Sequence, residues 1–276
     1  MAPSLELARR WINDAEALLI TAGAGMGVDS GLPDFRSADG FWRAYPPLAR
    51  LRLSFFEMAN PQWFDRDPAL AWAFYGHRLN LYRRTTPHPG FAQLLRTASR
   101  KPGGYFVFTS NVDGQFQKAG FAPERIVECH GSIHHFQCCR ACTDEIRDAA
   151  GETVSIDEAR FCCRPPLPSC PRCGGMARPN ILMFGDDAWV SRRTDLQHDR
   201  FSDWLDPLRA TRLTIIEVGA GTAVPGVRIL GEQLSARFRF PLIRINPEDA
   251  TVRSGNLGLA LGAADAIARI CPPDPV

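Results

Sequence analysis

The sequence predicts an open α/β fold in which helices cover both faces of a parallel sheet, and three observations carry that reading. Short β-branched or aromatic runs recur along the chain, near-continuously apolar as strands buried on both faces are. Stretches with helical spacing alternate with them, the pattern of a sheet wrapped by its own connections. Glycine-rich turns follow several of the runs, where such sheets receive ligands. In chain order, Leu5–Trp11 reads as helix, Ala17–Thr21 as strand, Phe91–Ser99 as helix, and Tyr105–Thr109 and Arg125–Glu128 as strands. Leu213–Glu217 (strand), Val227–Arg237 (helix), Leu242–Ile245 (strand) and Ala263–Ile270 (helix) follow, which together give a Rossmann-like core. Two segments break the alternation. Tyr45–Arg84 is rich in aromatics and arginine, and Cys138–Arg178 carries cysteine pairs, prolines and little periodicity. Residues 1–44, 85–137 and 179–276 are therefore expected to form a discontinuous Rossmann-like domain, with a helical insertion at 45–84 and a cysteine-bearing insertion at 138–178 forming a smaller one.

The 276 residues, 45% of them hydrophobic, supply a full-sized core. The 32 basic and 30 acidic side chains nearly balance, and a formal charge of +2 offers no field that would recruit nucleic acid or an anionic membrane. The amino terminus is amphipathic with polar breaks, unlike a secretory signal, and no apolar run reaches membrane-spanning length. The chain is expected in the cytoplasm. In that reducing compartment its nine cysteines are metal ligands or chemical groups before they are disulfides.

After the first strand comes Ala22-Gly23-Ala24-Gly25-Met26-Gly27, whose glycines let a backbone approach a pyrophosphate and aim amides at it. Their spacing misses the usual dinucleotide fingerprint, and no acidic residue clearly ends a second strand to hold an adenosine ribose, which disfavours a simple dehydrogenase. Gly31-Leu32-Pro33-Asp34-Phe35-Arg36 then gathers a carboxylate, a ring and a guanidinium just beyond the loop.

Gly23–Arg36 resembles the first signature of the sirtuin family. Further stretches match it in order: Thr109-Ser110-Asn111-Val112-Asp113-Gly114, Cys129-His130-Gly131-Ser132, cysteine pairs ending in Cys170-Pro171-Arg172-Cys173-Gly174-Gly175, and Arg178-Pro179-Asn180-Ile181 with Phe184-Gly185-Asp186. Gly219–Pro225 and Arg244-Ile245-Asn246-Pro247-Glu248 resemble its late phosphate-side loop and its adenosine-ribose strand end. The resemblance implies NAD as a consumed co-substrate and an acylated protein lysine as substrate. The acyl oxygen attacks the ribose carbon that bears nicotinamide; His130 then takes a proton from a ribose hydroxyl, which attacks the resulting imidate, leaving free lysine, nicotinamide and O-acyl-ADP-ribose. An imidazole suits that base because it titrates near neutrality. Asn111 and Asp113 would hold the nicotinamide ribose, a water and the nicotinamide amide. Gly23, Ala24, Gly25, Met26, Asp34, Phe35, Arg36, Ser110, Gly219, Gly221 and Asn246 would complete the cofactor site, and Phe184 and Gly185 would wall the substrate cleft. His88, His134 and His135 read as structural.

Cys170-x-x-Cys173, with two glycines behind it, is half of a tetrahedral zinc site. For the other half, short spacing favours Cys139 with Cys142, whereas the family places its first ligand eight residues after the histidine, at Cys138. The resemblance thus implies Cys138, Cys142, Cys170 and Cys173, although Cys162-Cys163 lie in the interval. Four thiolates close the shell, so the zinc is read as structural.

Tyr75 and Arg78 stand three apart, on one face if their segment is helical. The pair resembles that of sirtuins selective for succinyl- and malonyl-lysine; packing is the competing reading. Two positions depart from the family: Ser110 replaces a glutamine, and Gly27 a common serine. They keep ADP-ribosyl transfer or NAD hydrolysis open as alternatives to deacylation, and a non-catalytic NAD- and zinc-binding module stands as a third reading, against which the retained His130, Asn111 and Asp113 argue.

Overall fold

The computed structural model describes residues 2–33, 41 and 43–272. Helix α1 (Ala2–Asp14) buries Leu5, Ala8 and Ile12, one stripe at helical spacing. Strand β1 (Ala17–Ala22) is buried along its whole length. Helix α2 (Pro68–Arg84) starts at Pro68, with Asp67 accepting the Leu70 N–H as its cap. Next come α3 (Pro89–Ser99), β2 (Tyr105–Thr109), β3 (Ile126–Glu128), β4 (Gly131–Cys138) and β5 (Ala177–Ile181). After them run α4 (Arg192–Leu205), β6 (Leu213–Val218), α5 (Gly226–Phe238), β7 (Leu242–Ile245), β8 (Leu257–Leu259) and α6 (Ala263–Ile270).

Six strands form one sheet in the order β8-β7-β6-β1-β2-β3, every neighbouring pair parallel. The order reverses at β1: the chain builds outward through β2 and β3, then returns to lay β6 on the other side. Such a switch point opens a crevice beyond the carboxyl ends of the strands. One face of the sheet packs Ile20, Val107 and Ile216 against α1, α3 and α6. The other packs Phe106, Ile215 and Leu242 against Phe201 and Trp204 of α4 and Val227 of α5.

A third apolar cluster lies apart from both, gathering Trp72, Phe74 and Tyr75 of α2 with Phe136, Val154 and Cys163. Here β4 is the centre of a small antiparallel sheet, with β5 on one side and Arg147–Asp148 on the other. Entry into it requires glycine at Gly131, whose φ is +77° and where a Cβ would stand 2.0 Å from the Asn180 carbonyl oxygen. Helix α2 is tied to the cysteine-bearing insertion as well: Asn80 Nδ2 donates to Val154 O (2.9 Å) and Arg83 Nη1 to Glu152 O (2.7 Å).

Candidate active site

A cleft of about 550 Å³ opens beyond the carboxyl ends of β1, β2, β3 and β6. Its inner edge is two glycine loops pressed together. Gly25 donates to Gly219 O at 3.0 Å. Gly219 has φ +62°, a Cβ there would lie 2.3 Å from the Gly25 carbonyl carbon, and a Cβ on Gly23 would lie 2.7 Å from Ala220 Cα. Side chains at these positions would force the loops apart. Gly23, Ala24, Gly219 and Gly221 line the cleft, whereas Gly25 and Met26 do not. Met26 is fully buried in the core, and its carbonyl meets His88 Nε2 at 3.0 Å. Asn246 also stands back: its Nδ2 donates to Ala220 O (3.0 Å), and its Oδ1 accepts the Glu248 and Asp249 N–H groups. Its amide braces the 219–221 loop from behind.

Ser110, Asn111, Asp113 and His130 line the floor together. Asn111 donates from Nδ2 to Gly23 O (3.0 Å), linking the end of β2 to the first glycine loop. Asp113 is buried and accepts the Gln115 N–H at 2.9 Å. Burial pushes its carboxyl up to about 6, with nearby Glu128 adding to the rise, while the Gln115 N–H and Arg78 oppose it. His134 braces the same residue from behind, its Nε2 2.9 Å from Asp113 O; facing a carbonyl, that nitrogen carries the proton. His130 is half-buried, and burial lowers its pKa below the ordinary imidazole value against a smaller upward pull from the Ser110 carbonyl. It is a neutral imidazole at neutral pH.

The opposite wall is aromatic and apolar: Phe55, Phe56, Leu182 and Phe184 line it, with the Phe56 and Phe184 ring centroids 4.6 Å apart. Deeper in, α2 presents Tyr75, Arg78 and Tyr82. Arg78 Nε donates to Tyr82 Oη at 3.1 Å, and its guanidinium carbon lies 5.2 to 5.8 Å from the ring centres of Phe74, Tyr75 and Tyr82. The Tyr75 hydroxyl is buried with no hydrogen-bond partner among the described residues.

Outside the cleft, the Sγ atoms of Cys138, Cys142, Cys170 and Cys173 all lie within 4.8 Å of one another. Cys138 to Cys173 and Cys142 to Cys170 are each 3.7 Å. Tetrahedral zinc with thiolate bonds of about 2.3 Å sets its sulfurs about 3.8 Å apart, so the donor set fits that ion. Cys139, the choice favoured by spacing alone, packs instead against the third apolar cluster. Cys162 and Cys163 form a two-residue strand outside the group.

A model of the Sir2 family matches residues 23–203, a span that holds the first glycine loop, the cleft floor and all four cysteines. The chain belongs to the Sir2 family. An NAD-dependent protein deacylase of Thermus thermophilus is 29% identical over 279 residues, covering 98% of this chain and 95% of the relative. One of Aeropyrum pernix is 33% identical over 247 residues, covering 88% and 85%. In fold, the chain is similar to a solved Sir2 homolog–NAD complex, with a TM-score of 0.73 and 24% identity over 96% of this chain and 92% of that one.

NAD fits this sirtuin's cleft on its own geometry. The space beside Gly221 and Gly226 is open, at the first turn of α5, where backbone amides favour a pyrophosphate. Asn111 Nδ2 is engaged, while its Oδ1 has no partner among the described residues, leaving an acceptor for a ligand or water. Asp34, Phe35 and Arg36 lie outside the described residues. Gly27 bears differently on the cleft than the sequence implied: a Cβ there would meet Leu32 Cδ1 at 3.0 Å, and Gly27 is not among the lining residues, whereas Ser110 is. Phe55, Phe56 and Tyr82 of the lining were not singled out by any motif in the sequence. Tyr82 had a legible signal, since it stands one helical turn beyond Arg78.

Proposed function

We propose that this sirtuin is an NAD-dependent protein-lysine deacylase that yields nicotinamide and O-acyl-ADP-ribose. The observation that carries the reading is the meeting of His130, Asn111 and Asp113 on one cleft floor, facing two glycine loops suited to a dinucleotide's phosphates. The deacylase relatives support it. When bound, NAD supplies an electrophilic ribose carbon and nicotinamide as the leaving group. His130, neutral because burial disfavours its cation, accepts the ribose hydroxyl proton on its free ring nitrogen. Asn111 orients the ribose and a water through its carboxamide oxygen, and Asp113 accepts a hydrogen bond from the nicotinamide amide. The Leu182–Asp186 turn and Phe55 flank the extended acyl-lysine segment. Ser110, in the cleft where the family carries glutamine, keeps ADP-ribosyl transfer or NAD hydrolysis as the competing outcome.

The acyl group reaches Tyr75 and Arg78, which favour a succinyl or malonyl carboxylate. An unpartnered buried hydroxyl costs about 1–3 kcal/mol, and a carboxylate bound between Tyr75 and Arg78 satisfies it. The zinc on Cys138, Cys142, Cys170 and Cys173 is structural. The smaller domain is 45–84 with 138–178, which supply most of the separate apolar cluster, joined there by Ile133 and Phe136 of β4 and Ile181 of β5. No described helix is long and apolar enough to cross a membrane. Work in the cytoplasm is part of this reading, supported by four thiols that converge as a metal-ligand set.

Mass spectrometry after incubation with NAD and acetyl- or succinyl-lysine peptide tests the reading. O-acyl-ADP-ribose is the expected product. Free ADP-ribose or ADP-ribosylated protein without it would establish the competing activity, and no conversion would sink both.

A further inference from the structure

Among the residues that line the cleft, Asp186 has a fully buried side chain whose carboxylate is turned away from the cavity and already engaged. It is spent on Arg178, which is equally buried. Arg178 Nη1 donates to Asp186 Oδ2 at 2.8 Å and Nη2 to Oδ1 at 2.7 Å, a two-pronged grip in the planar geometry that guanidinium and carboxylate share. The same Nη1 reaches Ile181 O at 3.3 Å, and Asp186 Oδ2 accepts the Met183 N–H at 3.2 Å. Both ends of the turn from Ile181 to Asp186 are thereby fastened to one side chain of β5. Backbone bonds then place the fastened turn against the rest of the cleft: Leu182 donates to His130 O (3.0 Å) and Phe184 to Ala59 O (2.9 Å).

We infer that Arg178 and Asp186 are positioning residues for the substrate wall: their buried ion pair fixes the Ile181–Asp186 turn so that its backbone and the Phe184 ring present a preformed edge to the acyl-lysine segment. This rests on the proposed deacylase reading. Without the pair, the 183–186 end of the turn keeps, among the described residues, one backbone bond from Phe184, the ring contacts of Phe184 with Phe55 and Phe56, and the packing of Met183, but loses its tie to β5. The glycine loops, Asn111 and Asp113 are held by contacts that do not involve it. Loss of the pair therefore weakens acyl-peptide binding selectively and spares NAD.

The test joins hydrogen exchange with kinetics. In the unmutated protein the Met183 amide, bonded among the described residues only to the Asp186 carboxylate, is expected to exchange as slowly as the β5 amides. Exchange at the rate of an open loop would overturn the inference, with no variant needed. Asp186→Asn and Arg178→Lys are expected to speed exchange at Met183 and Phe184 by about 10-fold or more and to raise KM for acyl-peptide by about 10-fold, with NAD affinity within about threefold. Parallel losses of NAD and peptide binding would reduce the pair to general stability, and unchanged peptide KM would overturn the positioning role. If the unmutated protein proves not to act on acyl-peptide, the deacylase reading fails, and the exchange measurement still decides whether the pair holds the turn.

Discussion

The two walls of the cleft are built by different physics. On the sheet side, β1, β2 and β6 are buried along their whole lengths, and each buried Leu, Ile, Val or Phe contributes about 1.5–3 kcal/mol. Behind the other wall, which α2 and the Phe55–Phe184 rings form, the cysteine-bearing insertion has strands of two residues, Arg147–Asp148, Ile156–Asp157 and Cys162–Cys163, partly open to solvent. Pieces so short do not hold themselves. What holds them is α2 on one flank and four converging thiols on the other. The sheet carries the cleft floor on strands buried along their whole length; α2, from the helical insertion, packs against a cysteine-bearing insertion whose four thiols converge as a metal-ligand set.

The largest expected effect breaks that asymmetry. Structural zinc contributes on the order of 10 kcal/mol to such sites, so chelation or Cys170→Ser should unfold the insertion and release one zinc per chain. Hydrogen exchange should show lost protection across Ala177–Ile181 while Leu18–Ile20 and Val107 stay protected; folded, active protein without metal would contradict the picture. On the sheet side, His130→Ala should lower kcat by roughly a hundredfold or more while the melting temperature barely moves. Because burial depresses the His130 pKa, the acid limb of the wild-type kcat/KM profile should fall below the ordinary imidazole value of 6.5.

Asp113 sharpens the contrast, since a buried carboxylate on the sheet side carries a stability cost. Burial pushes its carboxyl up from the ordinary aspartate range to about 6, so between those values the folded state binds a proton that the unfolded chain has released. Stability from this group is therefore full below about pH 4 and lost as pH rises through about 6. Asp113→Asn should remove the loss, stabilising the protein by up to about 3 kcal/mol at pH 7.5 and little at pH 4, while activity falls. Denaturant titrations at the two pH values would show it; equal effects at both would return Asp113 to an ordinary carboxylate. The smallest effect lies on the insertion side. Arg78→Met should erase about 1.5–3 kcal/mol of succinyl over acetyl preference, roughly 10- to 100-fold in relative kcat/KM, and spare acetyl removal. Equal losses on both substrates would make Arg78 a packing residue.

The same asymmetry decides what the sequence revealed. Tyr105–Thr109, Leu242–Ile245 and Ala263–Ile270 are read to the residue, because continuous apolar runs and a clear helical stripe are local signals. Strand β4 was not legible: Gly131–Cys138 mixes serine, histidines and glutamine, and pairs with β5 across the whole cysteine insertion. Helix α4, with few apolar residues, hid for the same reason: it packs through Phe201, Trp204 and Leu205, while Thr194 and Gln197 meet Glu128 by hydrogen bonds. At the site, the floor could be read as motifs, and Cys138 over Cys139 followed from counting from His130. Asn246 and Met26 carried motif positions, yet they turn their side chains into the protein. A motif fixes the backbone's place more firmly than a side chain's direction.

NAD cleavage is expected to be coupled to removal of an acyl group from lysine. The most direct measurement is nicotinamide released against lysine deacylated, with and without acyl-peptide. One nicotinamide per free lysine, and almost none without the peptide, is the expected result. Nicotinamide released at the same rate without acyl-lysine would contradict it.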